Sequence, residues 1–169
     1  MAIAILAARL VLGLALFAHG TQKLFGWFGG YGVKGTGGFM ESMGYRPGAL
    51  FAIGAGLGEA GGGLLTALGL GGPIGPALIV MVMVVAIFTV HISKGFFNSN
   101  GGYELPLTNI ALALALAFVG FGPISLDAAV GLGGAWSHAS RWIALSAGVL
   151  LGLVNLAVRR PSGSTQATA

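Results

Sequence analysis

Long apolar runs alternate along the chain with shorter stretches rich in glycine, proline and polar residues. The runs extend from about Ile3 to Phe25, Ala52 to Leu70, Pro76 to Ser93, Leu105 to Phe121 and Trp142 to Val158. Each approaches the roughly 20 residues that a helix needs to cross hydrocarbon. The pattern predicts an all-α, polytopic transmembrane helical bundle. The stretches between the runs carry the punctuation of helix ends. Gly26 to Arg46 is glycine-rich and carries Trp27, Phe28 and Tyr31, rings suited to the headgroup level. Within it, Thr36 is expected to cap a short helix ended by Gly44, and Pro47 suits the first turn of the second span. Gly71, Gly72 and Pro73 mark a tight turn, and Gly122 and Pro123 stop the fourth run. A mixed segment containing Asp127 and small residues up to Ser140 reads as interfacial. The tail after Pro161 is low in hydrophobicity and is expected to be disordered.

Polar positions inside the runs carry the chemistry. Glu59 falls near the middle of the second run, where a carboxylate costs about 2.5–3.5 kcal/mol unless it is paired, protonated or facing a cavity. Gly54, Gly58 and Gly62 repeat at four-residue spacing beside it, with Gly61 and Gly63, a face that lets another backbone approach closely. On the first run Arg9, Gly13, Leu16, Gly20 and Lys23 fall within roughly 40° of one line, and His19 lies about 80° off it. The two spans run antiparallel. Measured from the ends of their runs, Arg9 lies about 10 Å deep and Glu59 about 15 Å deep. An intramembrane ion pair between Arg9 and Glu59 is therefore expected, serving either helix register alone or a responsive pair lining a cavity.

A second constellation gathers at the opposite end of the first span. There His19, Gln22 and Lys23 meet His91 and Lys94 from the third span and Tyr103, Glu104 and Asn109 from the start of the fourth. Such a collar could bind a polar or anionic headgroup, with apolar spans receiving a ring or chain. The plainer reading is that helix ends normally carry polar residues and that lysines snorkel there. His19, His91 and Glu104 are metal-ligand types, but they lie on separate helices without short ligand spacing, so no metal is expected. His138 lies at the other side and reads as incidental. The glycine runs lack a Walker lysine at the required spacing, which excludes a phosphate cradle.

Composition narrows the classes further. Only 7% of the 169 residues are charged and 56% are hydrophobic, against about 25% charged in soluble domains. Lipid must be the main solvent. The net charge of +4 is dispersed between the runs, unlike a clustered nucleic-acid footprint. With five spans, Lys23, Lys34, Arg46, Lys94, Arg159 and Arg160 collect on one face and Arg141 on the other, so the first face is expected to be cytoplasmic. Arg9 interrupts the first run, and neither a basic segment before it nor a small-x-small site after it suggests cleavage, so a retained span is expected. The absence of cysteine excludes disulfides, thiolate zinc sites, cysteinyl iron–sulfur clusters and a thiol nucleophile of the chain's own.

Several motifs together resemble one family. HGTQKLFGWFGG, GTGGFMESMGY, GLGEAGGGLL, VHISKGFFNSNGGYELPL and GPISLD, in this order over about residues 5 to 128, are similar to the DoxX family of bacterial membrane proteins. The resemblance implies a four-helix membrane bundle over residues 1–128. This sequence exceeds it with residues 129–160, an interfacial segment and a fifth hydrophobic helix, before the tail at 161–169. It also implies residence in the bacterial plasma membrane and a link to oxidoreductase assemblies serving thiol, sulfur or oxidative-stress defence. Arg9, His19, Lys23, Glu59, His91, Tyr103, Glu104 and Asp127 stand in the matching segments.

The function expected is an integral membrane subunit of an oxidoreductase system, binding a quinone at the collar. His19, His91, Lys94 or Tyr103 would act as proton donors near the carbonyls. Electrons would come from a partner, because no metal or flavin motif is visible. Alternatives are a small-molecule transporter or channel and a scaffold recruiting soluble redox enzymes. Expected partners are the lipid bilayer, such enzymes and a further copy in a homo-oligomer, with no nucleic acid.

Overall fold

The computed structural model describes residues 1–160; the expectation for the tail after Pro161 falls outside them. The chain is an all-α bundle. Its elements are α1 (Ala2–Phe25), α2 (Gly32–Ser42), α3 (Gly48–Leu68), α4 (Ile74–Ala86), α5 (Glu104–Val119), α6 (Leu126–Ala129) and α7 (His138–Ala157). Beyond Ala86, α4 widens into a π-helical turn over Ile87–His91 and tightens over Ile92–Lys94. Among the described residues, α1, α3, the α4 unit to Lys94 and α7 are long and apolar enough to cross a membrane, and α5 is a shorter apolar helix.

The central contact is α1 against α3. The buried stripe of α1 is Arg9, Leu12, Gly13, Leu16 and Gly20, at helical spacing. It meets Gly56, Ala60, Gly63 and Ala67 of α3, which are also buried. A Cβ on Gly13 would stand 2.6 Å from the Gly63 carbonyl oxygen, and one on Gly20 would stand 2.6 Å from that of Gly56. Only glycine permits this approach. The gain is backbone packing, which matters most where lipid supplies no hydrophobic drive between helices.

The expected single glycine face of α3 divides into three. Gly56 and Gly63 pack on α1, and Gly58 and Gly62 pack on Val82 and Leu78 of α4. Gly54 and Gly61 have no heavy atom within 4 Å of an added Cβ. A four-residue repeat drifts around a helix of 3.6 residues per turn, and two neighbours share it.

The core lies where α1, α4, α5 and α7 converge, around Leu12, Leu16, Ile79, Val80, Leu116 and Leu145. Helix α7 packs on α4 through buried Gly148 and Gly152. It begins earlier than Trp142, because Ser137 caps it by accepting from the Ser140 N–H at 3.1 Å. Helix α2 likewise starts at Gly32 rather than Thr36. Its Glu41 carboxylate accepts the Gly48 N–H at 3.0 Å, satisfying one free donor at the start of α3. At the end of α7, Arg159 Nε donates to the Met43 carbonyl (2.6 Å) and the Arg160 N–H to that of Gly44 (2.9 Å). The last cations therefore sit at the Lys23 end of the bundle.

Candidate functional site

The two charged residues expected to meet do not. Arg9 is fully buried and donates to four backbone carbonyls: Thr66 (3.1 Å), Ala67 (2.8 Å), Phe121 (2.9 Å) and Ile124 (2.6 Å). Its guanidinium carbon also lies 5.3 Å from the Phe121 ring centroid. The first two carbonyls belong to the last turn of α3, where carbonyls lack helical partners and carry the negative end of the dipole. The other two follow the end of α5. A planar cation with five N–H groups suits such a ring of oxygens.

Glu59 instead forms an ion pair with Lys23 through Oε2. The reason is axial register. Gly13 faces Gly63 and Ala67, and Gly20 faces Gly56 and Ala60, so Arg9 is level with Gly69 and Glu59 with His19. About ten residues, or roughly 15 Å, separate the two levels. Helix α1 overshoots α3 at its N-terminal end, and the connection after α5 covers the overhang, with Gly122 beside Ile5. Depths measured from the run ends hold only for helices with flush ends. Lys23 can reach Glu59 because helical side chains lean toward the N-terminus, here back into the bundle.

The Lys23–Glu59 pair stands on the wall of a cavity of about 600 Å³. Its carboxylate side chain is 8% exposed and the lysine 26%, so the lysine end is accessible while the acid is enclosed. Of the collar residues, His19, Lys23, His91 and Asn109 line the same cavity. The remaining wall is largely apolar, with Phe39, Met40, Leu50, Phe51, Met81 and Val82. The cavity is thus amphipathic: a charged and imidazole-bearing part beside a larger apolar part.

The other collar residues are occupied elsewhere. Gln22 Nε2 donates to the Phe28 carbonyl (3.1 Å), and Glu104 accepts the Asn98 N–H (2.9 Å). Tyr103 stacks edge-on against Phe96 with centroids 5.5 Å apart. Lys94 is exposed and lies over Gly101. His19, His91 and Glu104 do not come together, and no group of three metal-ligand side chains is found among the described residues. His138 is exposed at the start of α7.

Asp127 is buried in a separate knot at the Arg9 end. Its carboxylate accepts from the N–H groups of Gly71 (2.9 Å) and Gly72 (2.8 Å) and from the Trp136 indole (2.9 Å). Both glycines have positive φ, so the turn presents its two N–H groups together.

Sequence reasoning missed Asn155 and Tyr45 on the cavity wall. Asn155 carried a signal, an amide within the apolar run of α7. Tyr45 carried none, because its position depends on how the loop after α2 folds back. Its ring packs on Phe51 at 4.8 Å, and its hydroxyl is buried without a partner among the described residues. Burial pushes this phenol above its ordinary pKa, with Arg159 opposing the shift.

The family model described as DoxX matches residues 4–92. That span includes Arg9, His19, Lys23, Glu59 and His91, and ends before Tyr103, Glu104, Asn109 and Asp127. No curated protein and no solved structure matches the chain.

Proposed function

The chain belongs to the DoxX family and is a multi-pass membrane protein, and on that premise we propose that it is the membrane-embedded, quinone-binding subunit of an oxidoreductase system. One observation carries the reading: the Lys23–Glu59 ion pair, its carboxylate enclosed, stands with two histidines on a cavity whose remaining wall is largely apolar. A ring-headed lipid needs both environments, polar groups at its oxygens and an apolar slot for ring and chain. The volume of about 600 Å³ is within the usual range for small-molecule sites.

The residues divide the work. His19, His91 and Asn109 bind the head, Lys23 and Glu59 hold a mobile proton beside it, and Phe39, Phe51 and Met81 exclude water from the ring. Bound quinone would supply the two-electron chemistry. Electrons enter from a soluble redox partner, since the chain has no cysteine. The excess of cations at the Lys23 end supports a plasma-membrane orientation with this end cytoplasmic, where such a partner would dock. The bundle to about residue 128 forms the binding unit, and α7 adds an outer wall.

The test is solvent extraction of protein purified in mild detergent, with chromatography of the extract and redox difference spectra. Quinone is expected at near-stoichiometric amounts in the parent protein and at least tenfold less in Gly54→Phe, whose ring would enter the open space beside that glycine. Preparations that hold no quinone and take up none when it is added would overturn the reading, and would favour transport or scaffolding.

A further inference from the structure

The hydrogen-bond partners of the two cavity histidines determine which nitrogen carries the proton. His91 Nδ1 lies 2.7 Å from the Gly101 carbonyl oxygen. A carbonyl only accepts, so Nδ1 is the donor, and in the neutral ring Nε2 holds the lone pair. His19 reaches the same state through a relay. Gln22 Nε2 donates to the Phe28 carbonyl at 3.1 Å, which turns the amide oxygen toward His19 Nδ1, also at 3.1 Å. His19 Nδ1 must then donate, leaving Nε2 as an acceptor. Neither Nε2 has a hydrogen bond among the described residues. Asn109 adds to the pattern: its Nδ2 is turned to the Met83 sulfur at 3.7 Å, which leaves Oδ1 as an acceptor. The Thr89 hydroxyl donates to its own helix, at the Val85 carbonyl, 2.7 Å away. Beside the two imidazoles Lys23 has its charge turned to Glu59. Elsewhere on the wall the Tyr45 hydroxyl, the Asn155 amide and the second N–H of Asn109 remain as donors, so the acceptor character belongs to the histidine pair and not to the whole cavity.

We propose that the cavity selects the reduced, dihydroxy form of its ring-headed ligand over the oxidised, dicarbonyl form, with His19 Nε2 and His91 Nε2 accepting the two hydroxyl hydrogens. The proposal rests on the quinone-binding reading and adds which redox form that site holds. A hydroxyl facing an imidazole lone pair forms a hydrogen bond. A carbonyl there places lone pair against lone pair, a mismatch that costs most at the half-buried His91 and less at the exposed His19. Gln22 is a positioning residue in this scheme: it does not line the cavity, and it sets the tautomer of a histidine that does.

The experiment is anaerobic equilibrium dialysis of the detergent-solubilised full chain against a decyl-tailed quinone, offered separately in its reduced and oxidised forms. The quantity read is the ratio of the two dissociation constants within each variant, which normalises for the folded fraction. The reduced form is expected to bind about tenfold tighter to the parent protein. The ratio is expected to approach one in the double variant His19→Phe with His91→Phe, and to fall partway in Gln22→Leu, where the His19 tautomer is released. An independent measurement is redox titration of the bound couple, whose midpoint should rise by about 30 mV for a tenfold preference. If neither form binds, the quinone-binding reading falls and this proposal with it. If both bind equally, or the oxidised form binds tighter, the proposal is overturned while that reading stands. A preference that survives the double variant also overturns it. Should the double variant not fold, the parent ratio, the midpoint shift and Gln22→Leu decide the matter.

Discussion

Arg9 and Lys23 stand on the same stripe of α1, yet the two ends of the bundle treat their cations in opposite ways. At the Arg9 end the guanidinium is sealed among four carbonyls drawn from α3 and from the chain after α5. Among the described residues no acid bonds to it, and it does not line the neighbouring cavity of about 350 Å³, whose wall includes Phe121 and Asp127. At the Lys23 end the cation has one acidic partner and a cavity beside it. The first arrangement satisfies backbone groups at helix ends and ties three segments together. The second leaves an ion pair on the wall of an open space. A buried charge in a membrane protein is therefore not by itself a functional centre; what its partners are, and whether space adjoins it, decides.

The sharpest way to break this contrast is Arg9→Leu. It removes a buried cation and leaves the Thr66, Ala67, Phe121 and Ile124 carbonyls unpaired, so a loss of roughly 3–5 kcal/mol and collapse of the monodisperse yield are expected. Arg9→Lys should not restore stability, because a single ammonium cannot match a planar fork spread over two segments. Thermal unfolding followed by size-exclusion chromatography reads both, and a well-folded Arg9→Leu protein would refute the structural role.

A double-mutant cycle sharpens the comparison further. Lys23→Met with Glu59→Gln should show a coupling of about 1–3 kcal/mol, because the pair is in contact in a poorly solvated place. Arg9→Leu with Glu59→Gln should be additive to within about 0.5 kcal/mol, since those sites are far apart and share no partner. Additivity in the first cycle and coupling in the second would restore the Arg9–Glu59 pair.

Gly63→Ala and Gly54→Ala compare packing with open space at nearly the same chemistry. The first places a Cβ 2.5 Å from the Gly13 carbonyl oxygen and should destabilise by about 1–3 kcal/mol. The second meets nothing and should stay within about 0.5 kcal/mol of the parent, or gain slightly from helix propensity. Equal effects would show that α1 and α3 are not in backbone contact.

The smallest expected effect is that of Tyr45→Phe. It removes a buried hydroxyl without a partner, so stability at neutral pH should be unchanged or about 1 kcal/mol higher. The phenol's folded pKa lies above its ordinary value of 10.0, so the folded state holds the proton more tightly than the unfolded chain. The sign follows directly: the contribution is present below about pH 10 and is lost as pH rises through the folded value. Melting temperature measured from pH 9 to pH 11 should fall more steeply in the parent than in Tyr45→Phe, and parallel curves would exclude this contribution.

Much of the fold is legible in the sequence. The α1 stripe of Arg9, Gly13, Leu16 and Gly20 was visible as a helical period, and it is the buried face of α1. Gly44, Gly71–Pro73 and Gly122–Pro123 mark the breaks between helices as expected, while α3 and α5 end slightly earlier, at the Gly69 and Gly120 caps. The partner of Glu59 was not legible. Depths counted from run ends put Arg9 and Glu59 about 5 Å apart in level, whereas about ten residues, roughly 15 Å, separate them, because nothing local records how far α1 projects beyond α3. The glycines of α3 were legible as close-packing residues, but not which neighbour each one meets.

The sequence by itself determined that lipid is the solvent, that the chain is helical throughout its spans and that one acid in α3 must be paired, protonated or facing a cavity. All three follow from composition and short-range periodicity, properties that do not depend on distant contacts. Only the tertiary structure decided that the partner is Lys23 and that Arg9 closes the opposite end. That choice is a matter of axial register, fixed where Gly13 and Gly20 seat against Gly63 and Gly56 and where the chain after α5 folds over the overhang. A shift of two or three helical turns between the same two helices would exchange one pair for the other, and no single residue encodes that shift.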